Sequence, residues 1–297
     1  MAKISRKDGK KPYYSSNSLP EYIRIRKFQQ KDCDEIQRIY ANSMMDNVPY
    51  AISDIMQHRY LLCLWLGLTY FTVKNHSSIH LLFMLLVFCG WGFFLYVNVR
   101  RIITSSISYE TRLAIHTDLA KISEKYGNNF VQQPTKFDKH YYSQENTVDT
   151  VDPFHNDRIS KFWVAVDKDT GNKVVGFLEI VDDEDGDPLK KHYFIEPCAP
   201  HIKHLCVATN YKRQGIATAL LNHAIKFIHK KNAKSLAVLT SAWQGPALEI
   251  FYRFGFIEVK RGTMAYGFVE CIKLRLDVEQ WIRCRKARKH RSSISDA

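Results

Sequence analysis

The sequence predicts an α/β fold interrupted near its start by an apolar helical hairpin. Three observations carry that expectation. Residues 201–240 read as a strand, a turn with one glycine, an amphipathic helix and a second strand, which is a βαβ unit. Residues 161–181, "KFWVAVDKDTGNKVVGFLEIV", read as two strands around a Thr170-Gly171-Asn172 turn. Residues 61–73 and 79–99 contain no Asp, Glu, Lys or Arg, and only "KNHSS" parts them.

Taken in order, a basic tail over residues 1–20 leads into "EYIRIRKF" (21–28), which alternates Ile23 and Ile25 with charge and reads as a strand. Asp32 is placed to cap a helix over 33–45, where Ile36, Ile39, Tyr40 and Met44 recur at helical spacing. The first apolar run would reach only ~20 Å as a helix, and the second ~31 Å, enough to cross a hydrocarbon core of ~30 Å. Both are apolar all round rather than striped. A transmembrane or re-entrant hairpin with one short leg is therefore expected over a hairpin buried in a soluble core.

A helical pattern returns over 106–126 (Leu113, Ile115, Leu119, Ile122), followed by a polar, turn-rich stretch to residue 158 that reads as a long loop. The acidic "DDEDGD" at 182–187 does not have EF-hand spacing and reads as a solvated turn. Beyond it, the helix over 215–230 carries Leu220, Leu221, Ala224, Ile225 and Ile228 on one face, and "KSLAVLT" (234–240) is a buried strand. "GPALEIFYRFGF" is a helix with Pro246 early and Gly255 just past its end, and strands follow near 256–260 and 266–275. This divides the chain into the tail at 1–20, a first strand and helix at 21–59, the hairpin at 60–99, the rest of the domain at 100–278 and a basic tail at 279–297.

The net charge of +13 is concentrated at the ends: nine Lys/Arg lie within residues 1–31, and six follow Trp281. Such runs read as solvated tails, with anionic headgroups as the competing partner in a chain that has a membrane segment. Nucleic acid is not expected, because the tails lack interleaved aromatics or a recognised module. The seven cysteines show no CxxC pair and no metal-ligand spacing, so no metal site is expected and a reducing compartment is the default.

The chemistry-bearing stretch is "ATNYKRQGIATALL" (208–221). Amides of a first helical turn have no intrahelical acceptor, and the helix dipole favours an anion there. Lys212 and Arg213 add two cations, and small residues at 215, 217 and 218 let a bulky anion approach. It is neither a P-loop nor a dinucleotide fingerprint. From these residues alone, an ordinary helix start and a pyrophosphate cradle are equally good readings.

"HLCVATNYKRQGIATALL" and "LAVLTSAWQGPALEIFYRFGFIEV" resemble the core of the GNAT superfamily of acetyl-CoA-dependent N-acetyltransferases. The pattern [RQ]-x-x-G-x-[GA] falls on Lys212, Gly215 and Ala217, with Lys where Arg or Gln is usual. The pattern A-x-x-[LI]-[YF]-x-x-x-G-F falls on Ala247, Ile250, Phe251, Gly255 and Phe256. With the "IRKF" strand, the apolar hairpin and "FWVAV…KVVGFLEI", residues 21–275 are similar to the camello-like membrane-anchored group, which includes relatives of N-acetylaspartate synthase and of cysteine-S-conjugate N-acetyltransferases.

The resemblance implies a mixed, mostly antiparallel sheet flanked by helices, and acetyl-CoA as cosubstrate. It implies that pantetheine pairs with the edge of strand 201–207 through Leu205, Cys206 and Val207. Lys212, Arg213, Gln214, Gly215, Ile216, Ala217 and Thr218 would hold the pyrophosphate, with Gln244 and Phe251 also at the cofactor. His204 stands where many members carry a Glu and is the implied base, its imidazole suited to proton removal near neutrality. Without a bulge, alternation puts His201 on the opposite face from His204. Phe251 replaces a Tyr that serves many relatives as general acid, and Tyr252 should point elsewhere, about 100° round the helix. An acyl-CoA sensor without turnover, or a membrane interaction protein working through its tails, are the rival readings.

The acceptor is an amine on a small molecule or a protein, and its pocket is expected from 127–158 and 182–200. Because both flanks of the hairpin belong to one domain, crossings must be even in number. Arg59, Arg100, Arg101 and the basic tails then put the ends on the cytosolic side of a membrane, with endoplasmic reticulum the expected location.

Overall fold

Among the described residues seven strands form one sheet, in the order β1 (Ile23–Lys27), β2 (Lys161–Asp167), β3 (Lys173–Val181), β4 (His201–Val207), β5 (Ser235–Ser241), β7 (Val269–Asp277) and β6 (Ile257–Met264), with every neighbouring pair antiparallel except the parallel pair β4–β5. The computed structural model describes residues 19–74, 81–126, 159–182, 200–264 and 269–295. The expected acceptor loops, 127–158 and nearly all of 182–200, lie outside the described residues, as do most of the N-terminal tail and of the acidic 182–187 turn.

Strand β1 is Ile23–Lys27 and α1 is Cys33–Met45, whose Ile36, Ile39 and Tyr40 are buried as their spacing predicts. Asp32 stands at the cap position, but its carboxylate makes no cap bond to α1. It turns instead to Arg26, which grips both oxygens at 2.7 Å, and to the Gln29 N–H at 2.8 Å. A two-pronged guanidinium bond outcompetes a single capping bond when the cation is within reach.

Helix α2 (Val48–Met56) leads into a helical hairpin, α3 (Arg59–Lys74) against α4 (Leu81–Ala114). Tryptophans join the two legs: Trp65 Nε1 donates to the Phe88 carbonyl at 3.0 Å and stacks on its ring, and Trp91 Nε1 donates to Thr72 Oγ1 at 3.1 Å. Gly92 is required at this crossing, because a Cβ there would stand 2.9 Å from the Trp65 ring. One correction concerns length. The apolar run does not stop near residue 99 before a separate helix at 106; α4 continues unbroken to Ala114, passes through a π turn (Ile115–Leu119) and is followed by α5 (Ile122–Tyr126). Nothing in 100–105 breaks a helix, since this stretch has neither Gly nor Pro. Helix α4 with its continuation is the one described helix long and apolar enough to cross a membrane.

Strands β2 (Lys161–Asp167) and β3 (Lys173–Val181) form the expected hairpin, with Gly171 and Asn172 both in the left-handed region at its turn. Then come β4 (His201–Val207), α6 (Ile216–Lys230), β5 (Ser235–Ser241), α7 (Gly245–Phe254), β6 (Ile257–Met264), β7 (Val269–Asp277) and α8 (Val278–Ser295). The expected basic tail over 279–297 is thus a helix to Ser295. Trp281, stacked on Phe254 and buried with Val278, docks its first turn, and a docked turn lowers the cost of nucleating the rest.

The sheet is buried on both faces. One core joins it to α6, α7 and α8; six α6 side chains, Ile216, Leu220, Leu221, Ala224, Ile225 and Ile228, enter it at 1% exposure or less. Each of the Leu and Ile side chains contributes roughly 1.5–3 kcal/mol of transfer free energy. The other core lies under α1, the π turn and α5, around Phe162, Phe177 and Cys206. A third, smaller core joins α2 to α4 (Val48, Ala51, Ile52, Ile103) and receives Trp243 from the β5–α7 turn.

Candidate active site

Strands β4 and β5 pair at only two positions, His201↔Ala237 and Ile202↔Val238, and then separate. Beyond Ile202 the β5-facing edge of β4 is therefore open. Ala208 N–H donates to the Val175 carbonyl on β3 at 2.8 Å. The two-residue period of the ladder then turns the peptide groups of Cys206 to β3, and those of Leu205 and Val207 to the open edge. Leu205 and Val207 thus fit the expected pairing. Cys206 does not: its backbone is used by the sheet, and its side chain is buried under α1, where burial pushes the thiol up to about 12.

His204 lies two residues past the last β4–β5 pair. A bulge in β4 at Lys203 turns consecutive side chains to the α1 face: Lys203 reaches Asp118 at 3.1 Å, and His204 meets the Tyr40 ring edge-on at 5.3 Å. Ile202 faces the opposite core, so alternation brings His201 back to the side that His204 occupies. The bulge thus supplies the exception that strict alternation lacked.

His204 is 8% exposed, and its Nδ1 is 2.7 Å from Oε2 of Glu179, itself 3% exposed, directly opposite on β3. The Tyr126 hydroxyl donates to the other Glu179 oxygen at 3.1 Å. Burial pushes the Glu179 carboxyl up, but the hydrogen bond and charge of His204 outweigh it and hold the group below the ordinary carboxylate range. Burial raises the Tyr40 hydroxyl well above its ordinary value. Sequence reasoning missed Glu179, Tyr40 and Tyr126. A single charge within "VVGFLEIV" was the available signal, since an isolated carboxylate in a buried strand requires a partner.

The start of α6 leaves a run of backbone amides free of helical acceptors. Gly215 sits at φ 81°, and the first intrahelical bond is Ala219 N–H to the Gly215 carbonyl. The amides of Ile216, Ala217 and Thr218 therefore have no helical acceptor. The Ile216 side chain is fully in the core, so only its backbone is available. Arg213, also at positive φ, is exposed beside the turn. Lys212 and Gln214 are committed elsewhere. Lys212 Nζ binds Asp46 Oδ2 at 2.5 Å, and Gln214 accepts from Tyr22 at 2.9 Å while donating to the Asn210 carbonyl.

Just past the end of β5, Gln244 stands at the N-cap position of α7 without a side-chain capping bond, and its side-chain oxygen accepts from Thr240 at 2.9 Å. Phe251 is buried edge-on to Phe256, and Tyr252 points away to Glu258, as helix geometry requires. Among the described residues no group of His, Cys, Asp and Glu is arranged to hold a metal ion.

The fold thus offers a splayed parallel strand pair, an uncapped helix start after a left-handed glycine, and a buried imidazole–carboxylate pair. Residues 128–256 match the acetyltransferase (GNAT) family, so the chain carries a GNAT acetyltransferase domain and uses acetyl-CoA. Among its relatives, N-acetyltransferase 8 of Rattus norvegicus is 23% identical over 232 residues, 78% of this chain and 85% of the relative. N-acetylaspartate synthetase of Danio rerio is 24% identical over 242 residues, 79% of this chain and 67% of the relative. These are the relatives that the sequence resemblance points to. Among solved structures, the NatC complex bound to Gag peptide and CoA aligns with a TM-score of 0.33 at 24% identity, over 39% of this chain and 70% of that one.

Proposed function

We propose that the protein is a membrane-anchored N-acetyltransferase that moves acetyl from acetyl-CoA to the amine of an amino acid, a cysteine conjugate or a lysine, by direct attack in a ternary complex. The observation that carries this reading is the position of His204, at the mouth of the β4–β5 splay and bonded to a buried carboxylate.

The residues present fit the cosubstrate. The open Leu205 and Val207 peptide groups suit the amides of a pantetheine arm, and the Ile216, Ala217 and Thr218 amides suit a pyrophosphate, with Arg213 beside them. Gln244 is bonded to Thr240 on the part of β5 that has left β4, while Phe251 lies in the core against Phe256. Acetyl-CoA supplies the acetyl group as a thioester, whose C–S bond breaks as the N–C bond to the amine forms. His204 accepts the proton that the attacking amine gives up, directly or through water, so that nitrogen attacks with a free electron pair. Phe251 has no proton to donate, and Tyr252 is held by Glu258. A thiol is acidic enough to leave as thiolate and to take its proton from solvent.

Anchoring rests on α4 and its hairpin partner α3, whose large apolar side chains (Leu64, Leu66, Phe71, Leu85, Leu86, Phe93) are exposed. Arg59, Arg100 and Arg101 flank the apolar lengths, which favours a cytosolic catalytic domain at the endoplasmic reticulum. The test is thiol release from acetyl-CoA by the full chain in nanodiscs, against aspartate, a cysteine S-conjugate and a lysine peptide. Turnover with one of them, lost in His204→Ala, is expected; absence of turnover with every amine overturns the reading. For topology, a C-terminal epitope on sealed microsomes should be digested by added protease, and its survival overturns the orientation.

A further inference from the structure

We infer that Glu179 is a positioning residue for His204, fixing the ring with Nδ1–H donated to the carboxylate and Nε2 left bare to accept the proton, and that Tyr126 holds that carboxylate in place. The inference deepens the reading of His204 as the base and rests on it.

The argument is geometric first. Glu179 and His204 face each other across the β3–β4 ladder, 2.7 Å apart and both buried. An ionised carboxylate only accepts hydrogen bonds, so in a neutral ring the proton must sit on Nδ1. With one oxygen taken by His204 and the other by Tyr126, the carboxylate is held in one orientation. The Tyr40 ring edge-on to the imidazole limits its rotation from the α1 side. A buried pair with no task is poor design for stability alone, because apolar replacements are often at least as stable.

Among the described residues, further charged and titratable groups stand around the pair. Lys203 lies beside it, paired with Asp118, and Lys125 adds a second cation that acts on Glu179. Glu110 and Asp118 act on Tyr40, and the Cys206 thiol is on the same face of β4. Among the described residues none of these acids bonds the imidazole in place of Glu179, which is the carboxylate that orients the ring.

The experiment compares Glu179→Gln, Glu179→Asp, Tyr126→Phe and His204→Ala in full-length protein in nanodiscs. The acceptor is the most active amine of the panel above, and kcat, KM for acetyl-CoA and the pH profile are read. Glu179→Gln, whose amide can donate to Nδ1 and so favours the wrong tautomer, is expected to lose about 100-fold in kcat. Its KM for acetyl-CoA stays within twofold, and the acid limb of kcat/KM moves to lower pH. Glu179→Asp recovers part of the rate, and Tyr126→Phe loses less than tenfold.

Nitrogen-15 histidine spectra of the wild type read the tautomer without turnover: Nδ1 protonated is expected, and Nε2 protonated overturns the inference even if Glu179→Gln fails to fold. A Glu179→Gln protein with lowered Tm but wild-type kcat and acid limb overturns it as well, leaving His204 as base intact. Wild-type turnover in His204→Ala overturns the base assignment and this inference together.

Discussion

Lys212, in the turn that leads into α6, is bound at 2.5 Å to Asp46, the residue that ends α1, and Asp46 also accepts from Thr209 at 2.8 Å. Burial pushes the Asp46 carboxyl up, but the bonds from Lys212 and Thr209 outweigh it and hold the group below its ordinary range. One of the two cations in the turn before α6 is thus already partnered, and an arriving phosphate must compete with Asp46 for it. Asp46→Asn is expected to lower KM for acetyl-CoA a few-fold at low salt and to converge on wild type at high salt, where exposed charges are screened. Lys212→Met should leave KM within about threefold. A steady-state salt titration of both variants checks this.

Gly215 places the first turn of α6 by adopting φ 81°, a conformation that costs an L residue roughly 1–2 kcal/mol. A β-branched residue is worse. Gly215→Val is expected to raise KM for acetyl-CoA at least tenfold with a smaller change in kcat, because the helix start moves while His204 on β4 does not. Initial-rate kinetics, with a melting curve to confirm folding, measure it.

Arg26 is the charge that neutralises Asp32, whose side chain is 4% exposed. Removing one partner of a buried pair leaves the other uncompensated, so Arg26→Ala should destabilise the domain by about 3 kcal/mol. Urea unfolding followed by tryptophan fluorescence reads this, and Arg26→Lys, which cannot grip both oxygens, should fall between.

The Glu179 carboxyl is held below its unfolded value of ~4.3, so ionisation favours the folded chain. That stabilisation is complete above the unfolded value and is lost as pH falls through the lower folded one. Glu179→Gln should therefore show a shallower fall of Tm than wild type below about pH 4. Parallel slopes in thermal scans from pH 7 to pH 3 would count against the pairing.

Much of the fold was legible because it depends on local rules. The Thr170-Gly171-Asn172 turn, the α6 stripe and the Pro246–Gly255 bracket around α7 each carry their signal within a few residues. The site was legible only where it is local: Gly215 and the amides after it are sequence neighbours. Glu179 and His204 are not, and which of Cys206 and Val207 offers its peptide depends on strand register, which no single strand reveals. The bulge at Lys203, which sets His201 and His204 on one side, is likewise a property of a strand pair. Length misled at α4, because a run of apolar residues marks where lipid could be and not where a helix stops.

An unbroken α4 of 34 residues is about 51 Å long and passes from the apolar hairpin straight into the packing against α1 and α2. With α4 as the proposed anchor, the stalk is continuous with the domain's own core rather than a flexible linker. On that proposal the cleft cannot tumble relative to the membrane, and it sweeps a thin layer at a set height rather than a volume. Acceptors confined to that layer meet it at a raised effective concentration, and those elsewhere do not.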